Sequence, residues 1–315
     1  MIKKPINVIL DGDPGHDDAI AWVVAKASSD FNILACTAVN GNCSAAKAAY
    51  NSQRICALIG LDVPIAKGQD KPLVIESLKA PTNIHGESGL DGPELPLPKR
   101  ELEDLTAVEL MIKVLEEAKE KVTIVATGPL TNVGALLLVR PDLKEKIHQI
   151  SIMGGGIKHG NWTAAAEFNI LIDPDSADIV FRSGLPILMS GLDVTEKALV
   201  TPKDVEKIKK IDNPVADIVW QWLEFFYQFH VSIGYPGAPI HDLCAVLALN
   251  HPEIFTMQKM YVEVETASEY CKGATIGDIN NIAGKKPNAT VLMDVDREKF
   301  IEYMIEAIKS YSEGN

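Results

Sequence analysis

An open α/β fold is predicted for this chain: a single domain over residues 1–315, with a mainly parallel, Rossmann-like central sheet flanked by helices. Two features predict it. Apolar, β-branched runs alternate with stretches of helical periodicity, the pattern of repeated strand–helix units. Each candidate strand then gives way to polar or glycine-rich residues, and in open parallel sheets ligands bind outside the carboxyl ends of the strands. No internal repeat, low-complexity tract or linker divides the sequence.

Ile6–Leu10 reads as the first strand, followed by a helix from Asp17 to about Ser28. Ile33–Val39 comes next, then a helix over Ser44–Ile59 that Gly60 stops. Thr106 and Glu109 form a capping box, with Val108, Met111, Ile112 and Leu115 as the apolar stripe behind it. Val122–Ala126, Ile147–Met153 and Pro186–Ser190 are the later strands. The proline-rich segment Asp91–Lys99 reads as a surface loop. Trp220, Trp222, Phe225, Phe226 and Phe229 recur along one helix as core or interface residues, and its carboxyl end is free to face a ligand.

Hydrophobic residues make up 47% of the chain and charged residues 23%, an ordinary water-soluble composition. A net charge of −13 with no long basic run argues against nucleic acid or an anionic membrane surface as partner. The apolar stretch of the opening "MIKKPINVILDGD" stops at Asp11, too early for a signal-peptide core, and nothing later approaches a membrane span. Cys36, Cys43, Cys56, Cys244 and Cys271 are an odd set without a CxxC pair, as expected of reduced thiols in a cytoplasmic protein.

Asp11, Asp13, Asp17 and Asp18 crowd the end of the first strand. Two unit charges about 4 Å apart repel by roughly 4 kcal/mol at an effective dielectric of about 20, so such a cluster raises its own pKa values or holds a cation. Helix capping accounts for one acid, not four. The spacing differs from an EF-hand loop, yet hard oxygen donors on an irregular turn suit Ca²⁺ or Mg²⁺ better than zinc. In "PIHDLCA", Asp242 either caps a helix or adds a late carboxylate to the cation, and His241 sets a titratable imidazole beside it. "GNWTAAAEFN" brings Asn161, Glu167 and Asn169 around apolar Phe168, groups suited to the hydroxyls of a sugar, although polar loops of this kind are common. "NIHGESG" places His85 in a glycine-flanked loop. Gly154–Gly156 is no dinucleotide fingerprint, because no GxGxxG follows the first strand.

"DGDPGHDDAIAW", "NIHGESGLDGP", "MGGG", "GNWTAAAEFNI-DP" and "PIHD" occur in an order and spacing that resemble the inosine-uridine-preferring nucleoside hydrolase family, from Ile6 to about Lys309. Within it the chain looks most similar to the bacterial pyrimidine-type ribonucleoside hydrolases. The resemblance implies calcium-dependent hydrolysis of the N-glycosidic bond of ribonucleosides to ribose and free base, with uridine or cytidine preferred, in nucleoside salvage. It implies that Ca²⁺ is held by the carboxylates of Asp13, Asp18 and Asp242 and the backbone carbonyl of Thr127, with Asp13 also taking the proton of the attacking water. Asp17, Asn42, Asn161, Glu167 and Asn169 are implied around the ribose hydroxyls, with Met153 and Phe168 lining the sugar pocket and Asp11 supporting the acidic turn. His85 and His241 are implied at the base, and a homotetramer as the assembly. Two positions depart from the family: Gly12 stands where cysteine is usual, and Leu243 where proline usually follows the His–Asp pair. Neither supplies a ligand side chain. The segment Phe226–Tyr235, which in the family closes over the base, is its most variable part.

Two other classes compete. Phosphoryl transfer of the haloacid-dehalogenase type also opens with DxD after a first strand, but a threonine or valine usually follows the second acid, where this chain has Pro14. A calcium-dependent sugar- or nucleoside-binding protein accounts for the acids and amides but leaves His85 and His241 without a duty. Hydrolysis uses every group: a ribose diol and a water fill an oxygen-ligated calcium, and an imidazole serves the leaving base.

Overall fold

Val8 and Leu10 face one apolar cluster and Ile9 the other, the alternation of a strand buried on both faces. The computed structural model describes residues 4–312. Its strands are β1 (Ile6–Gly12), β2 (Phe31–Ala38), β3 (Ile65–Lys67), β4 (Val122–Ala126), β5 (Ile147–Met153), β6 (Ile187–Ser190), β7 (Leu199–Val200), β8 (Ala238–Pro239), β9 (Phe255–Met260), β10 (Val262–Val264), β11 (Thr275–Gly277) and β12 (Ala289–Val295). The first helices are α1 (His16–Ala27), α2 (Ala45–Ile59), α3 (Thr82–His85), α4 (Ala107–Glu117), α5 (Thr131–Val139) and α6 (Phe168–Ile172). They are followed by α7 (Pro174–Phe181), α8 (Leu192–Thr195), α9 (Pro202–Ile208), α10 (Pro214–Ser232), α11 (Leu243–Asn250) and α12 (Arg297–Ser310).

Eight strands form one sheet in the order β3-β2-β1-β4-β5-β6-β12-β9. All neighbours run parallel except β9, which is antiparallel to β12. The single-domain α/β expectation holds, and β3 at one edge and β12 with β9 at the other extend the sheet beyond the strands legible in the sequence. One core cluster lies under α1, α10, α11 and α12, the other under α4, α5 and α7. The helix stops and starts follow local chemistry. Gly60 adopts φ +63° to end α2, and Thr106 and Glu109 bond each other's backbone amides ahead of α4. Asp91–Lys99 carries no helix or strand, but it is anchored: the Leu95 side chain is buried and its carbonyl accepts from Arg54 at 2.9 Å.

Strand order reverses between β1 and β4, so their carboxyl ends flank the crevice where such folds take ligands. The turn after β1 carries the acidic cluster, and the turn after β4 begins at Thr127.

Candidate active site

Asp17, Asp18 and Asp242 each offer a carboxylate oxygen within 4.8 Å of the others, and all three are buried. Asp242 stands at the start of α11 but makes no capping bond, so its carboxylate is turned to the cluster and not to its own helix. Asp18 accepts from the Gly15 amide at 3.0 Å and from Thr127 Oγ1 at 2.6 Å. Asp13 accepts the Asn42 amide on Oδ2 at 2.6 Å, while its buried Oδ1 has no partner among the described residues. A Cβ at Gly128 would stand 2.5 Å from that Oδ1, and one at Gly41 would press still closer on Oδ2. The slot for Asp13 therefore exists because both neighbours are glycine. Behind it Asp11 accepts from Thr37 at 2.7 Å and Asn132 at 2.8 Å.

Burial pushes the pKa values of Asp13, Asp17, Asp18 and Asp242 above the ordinary carboxylate range, and mutual repulsion adds to it for Asp13, Asp17 and Asp242. Asp11 is raised to about 7, again by burial, against the pull of Asn132 and Thr37. Four crowded, dry carboxylates with one oxygen unpaired make a donor set that fits a hard divalent cation.

The groups expected at a sugar come from α6 and the loops beside it. Glu167 caps α6 through the amides of Asn169 at 2.9 Å and Ile170 at 3.2 Å, and also accepts from Gly155 at 2.8 Å. Burial raises its pKa to about 7 despite these donors. Asn169 spends its amide nitrogen on the carbonyls of Thr127, at 2.8 Å, and Met153, at 3.1 Å, which leaves its carbonyl oxygen as the acceptor for a ligand. Asn161 Oδ1 accepts the Phe168 amide at 3.0 Å, and Trp162 meets the Phe168 ring edge-on.

Histidines and aromatic rings build a further part of the lining. His241 lies 2.8 Å from Thr195 Oγ1 through Nδ1, and burial with the nearby His230 lowers its pKa to about 3. His85 stacks on Phe226, and burial holds it well below the ordinary imidazole value. His16 stacks against His85, Phe225 and Phe226, and burial lowers it to about 4. At the mouth Tyr235 donates to Glu196 at 2.7 Å, and the other Glu196 oxygen lies 3.0 Å from His159.

One cavity joins these parts. Asp17, Asn42, Thr127, Met153, Asn161, Glu167, Phe168, Asn169 and Asp242 line it together with His85 and His241. Asp13 and Asp18 lie fully buried behind that lining. Every site residue expected from the sequence is thus in or directly behind the cavity, but the closest carboxylate trio includes Asp17, which the sequence reading gives to ribose. Sequence reasoning passed over His16, Asp91, Thr195 and His230. His16 stood in full view inside "DGDPGHDD", and its contacts come from segments remote in sequence. The aromatic stripe of α10 was the available signal for its wall: Phe226, Phe229 and His230 line the cavity.

Comparison with known proteins agrees with this geometry. The model of the inosine-uridine preferring nucleoside hydrolase family matches residues 8–302. A pyrimidine-specific ribonucleoside hydrolase, RihA, of Escherichia coli O7:K1 is 48% identical over 310 residues, covering 98% of this chain and 99% of that protein. The purine-preferring ribonucleoside hydrolase of Gardnerella vaginalis superposes with a TM-score of 0.91 at 30% identity, over 97% of this chain and 99% of the other. The plant nucleoside hydrolase PpNRh1 superposes at 0.90 with 30% identity and the same coverage. With its sheet, its acidic turn and nearly its whole length matched, the chain belongs to the inosine-uridine preferring nucleoside hydrolase family.

Proposed function

We propose that this protein is a Ca²⁺-dependent ribonucleoside hydrolase that prefers uridine and cytidine and releases ribose and free base. One observation carries the reading: a single cavity is lined by buried carboxylates, by the imidazoles of His85 and His241, and by Asn161, Glu167 and Asn169. The 48% identity to a pyrimidine-specific relative supports the choice of base.

Asp13, Asp18 and Asp242, with the Thr127 carbonyl, would hold the ion, which supplies a Lewis acid for the ribose diol and for a water. Asp13 Oδ1, unpaired and buried, is the acceptor for the proton of the attacking water. The water oxygen forms its bond to C1′ as the bond from C1′ to the base nitrogen breaks, and the electron pair leaves with the base. Asn161, Glu167 and the Asn169 carbonyl hold the hydroxyls, so attack proceeds within one assembled complex. His241 meets the leaving base with a hydrogen bond, its other nitrogen held by Thr195. Phe168 and Met153 shape the apolar side of the sugar pocket.

The test is a panel of uridine, cytidine, inosine and adenosine, followed by base release and reducing sugar. Uridine or cytidine should give the highest kcat/KM, and His241→Ala should lower kcat by roughly 10²–10⁴. Preference for inosine would overturn the pyrimidine assignment, and release of phosphate from a nucleotide without base would overturn hydrolysis of the glycosidic bond. The proposal extends to nucleoside salvage in the cytoplasm as the setting and a homotetramer as the assembly, the latter checked by light scattering. No helix among the described residues is long and apolar enough to cross a membrane.

A further inference from the structure

Of the residues that line the cavity, Asn161, Trp162 and Ile233 are the ones exposed to solvent, so two segments of chain frame its opening. One is the loop after β5, which carries Asn161 and Trp162 toward α6. The other is the end of α10, where the amides of Ile233 and Tyr235 turn back onto the His230 carbonyl at 3.3 and 2.9 Å and Gly234 takes φ +94°. Among the described residues no hydrogen bond runs directly between the two segments. Glu196, the residue that ends α8, joins them. One of its carboxylate oxygens accepts from the Tyr235 hydroxyl at 2.7 Å, and the other lies 3.0 Å from His159 Nε2. Burial and the adjacent carboxylate hold the Tyr235 phenol above its ordinary pKa, so it stays a donor.

The loop after β5 is fixed at both ends and free between them. At its root Gly156 and Ile157 give their amides to Thr275 and to the buried Asp193, at 2.9 and 2.7 Å. Further on, the amides of Asn161, Trp162 and Thr163 converge on the Ala166 carbonyl, each at 3.2 Å. Between these anchors, among the described residues, Lys158 and His159 reach another element only through the bond of His159 with Glu196. A carboxylate suits such a junction, because its two oxygens serve two donors at once. The Glu196 side chain is 22% exposed and that of His159 45%, so water can replace the bond between them and the opening can widen for entry and release. We propose that Glu196 is a positioning residue that clasps the two rims of the opening and so retains a nucleoside in the cavity. The inference rests on the hydrolase reading for its ligand and goes beyond it by naming what holds the opening. Both Glu196 oxygens are engaged by rim residues, so its duty falls on binding and not on the chemical step.

Steady-state kinetics with uridine and amide hydrogen exchange test the clasp together. Glu196→Ala should raise KM about 10-fold, the scale of one hydrogen bond to a charged group, and leave kcat within about 3-fold. Glu196→Gln should restore KM, because its carbonyl accepts from Tyr235 and its amide can donate to the exposed imidazole of His159. Tyr235→Phe should raise KM in the parent and change it little in the Glu196→Ala background, since both substitutions break the same bridge. Amides of residues 157–163 and 231–235 should exchange about 5-fold faster or more in Glu196→Ala, and at the parent rate in Glu196→Gln. An unchanged KM in Glu196→Ala, or a Gln variant as impaired as the Ala one, overturns the proposal. So does a Tyr235→Phe effect of full size in both backgrounds, which would put the phenol on the substrate itself. If Glu196→Ala does not fold, His159→Leu opens the other arm alone and must raise KM and quicken the exchange of 157–163. A parent enzyme that leaves uridine intact overturns the hydrolase reading instead, and the exchange comparison still decides the clasp.

Discussion

Thr127 ties the two turns of the crevice together: its hydroxyl donates to Asp18 at 2.6 Å and its amide to the Asp11 carbonyl at 2.8 Å. The first bond orients a carboxylate that the site needs, and the second merely continues the sheet. Thr127→Val keeps the backbone and the shape and removes only the first. Groups that orient metal-holding carboxylates are worth about 10- to 100-fold in affinity or activity. Calcium titration calorimetry of Thr127→Val should therefore show a loss of that order with the melting temperature of chelator-treated protein nearly unchanged. Equal calcium affinity in variant and parent would remove the hydroxyl from the site's design.

Asp13 carries opposite duties in the two states. Without a cation it is one more buried negative charge among like charges; with one it is a donor and the proposed base. Asp13→Asn should raise the melting temperature of chelator-treated protein and shrink the further rise that calcium produces. Turnover should be lost, chiefly in kcat, and Asp13→Ala should abolish it as well. Calorimetric scans with chelator and with calcium separate the effects. A chelator-treated Asn variant that melts below the parent would mean that Asp13 is not under repulsion.

A site that pairs both ribose hydroxyls leaves buried polar groups unpaired when one hydroxyl is missing. 2′-Deoxyuridine should be cleaved at least about 10³-fold less efficiently than uridine. The comparison is made on kcat/KM, and similar values for the two would show that the carboxylates and amides do not read the diol.

The strands β1, β2, β4, β5 and β6 and the acidic turn were legible because each is local: β-branched runs of a parallel sheet, and like charges packed into one short turn. β3 is only three residues long, and β9 and β12 mix polar residues among their apolar ones, so none of the three stands out as a buried apolar run. The sequence offers Glu167 only as a candidate ligand group, whereas its capping of α6 and its hold on Gly155 depend on a turn that only the fold makes. The least legible part is the aromatic and imidazole wall of the cavity. His16, the pair His85 and Asp91, and Phe226 come from three stretches of chain that meet only in the fold. The reading of Asp91–Lys99 as a surface loop followed its prolines and missed that a backbone carbonyl within it would be put to use.

Outside the cavity, Asp204 offers a test of what holds the far side together. Its buried carboxylate accepts from Thr201 Oγ1 at 2.6 Å, pairs with Lys207 at 3.0 Å and with Arg297, and so links the start of α9 to the start of α12. Burial alone would raise its pKa; the Thr201 hydrogen bonds and the two cations outweigh that and hold it below the ordinary carboxylate value. A carboxyl whose pKa is depressed on folding adds stability above its unfolded pKa, about 3.9, and loses that contribution as pH falls through the lower folded value. Asp204→Asn should therefore be less stable than the parent at pH 7, by about 2 kcal/mol, because Arg297 and Lys207 also reach water and recover part of the loss. Urea unfolding at pH 7 and again in the acid range below about pH 4 checks the sign, since the gap should narrow as the parent's own carboxylate protonates. A gap that stays constant with pH would assign the loss to packing and remove the charge from the account.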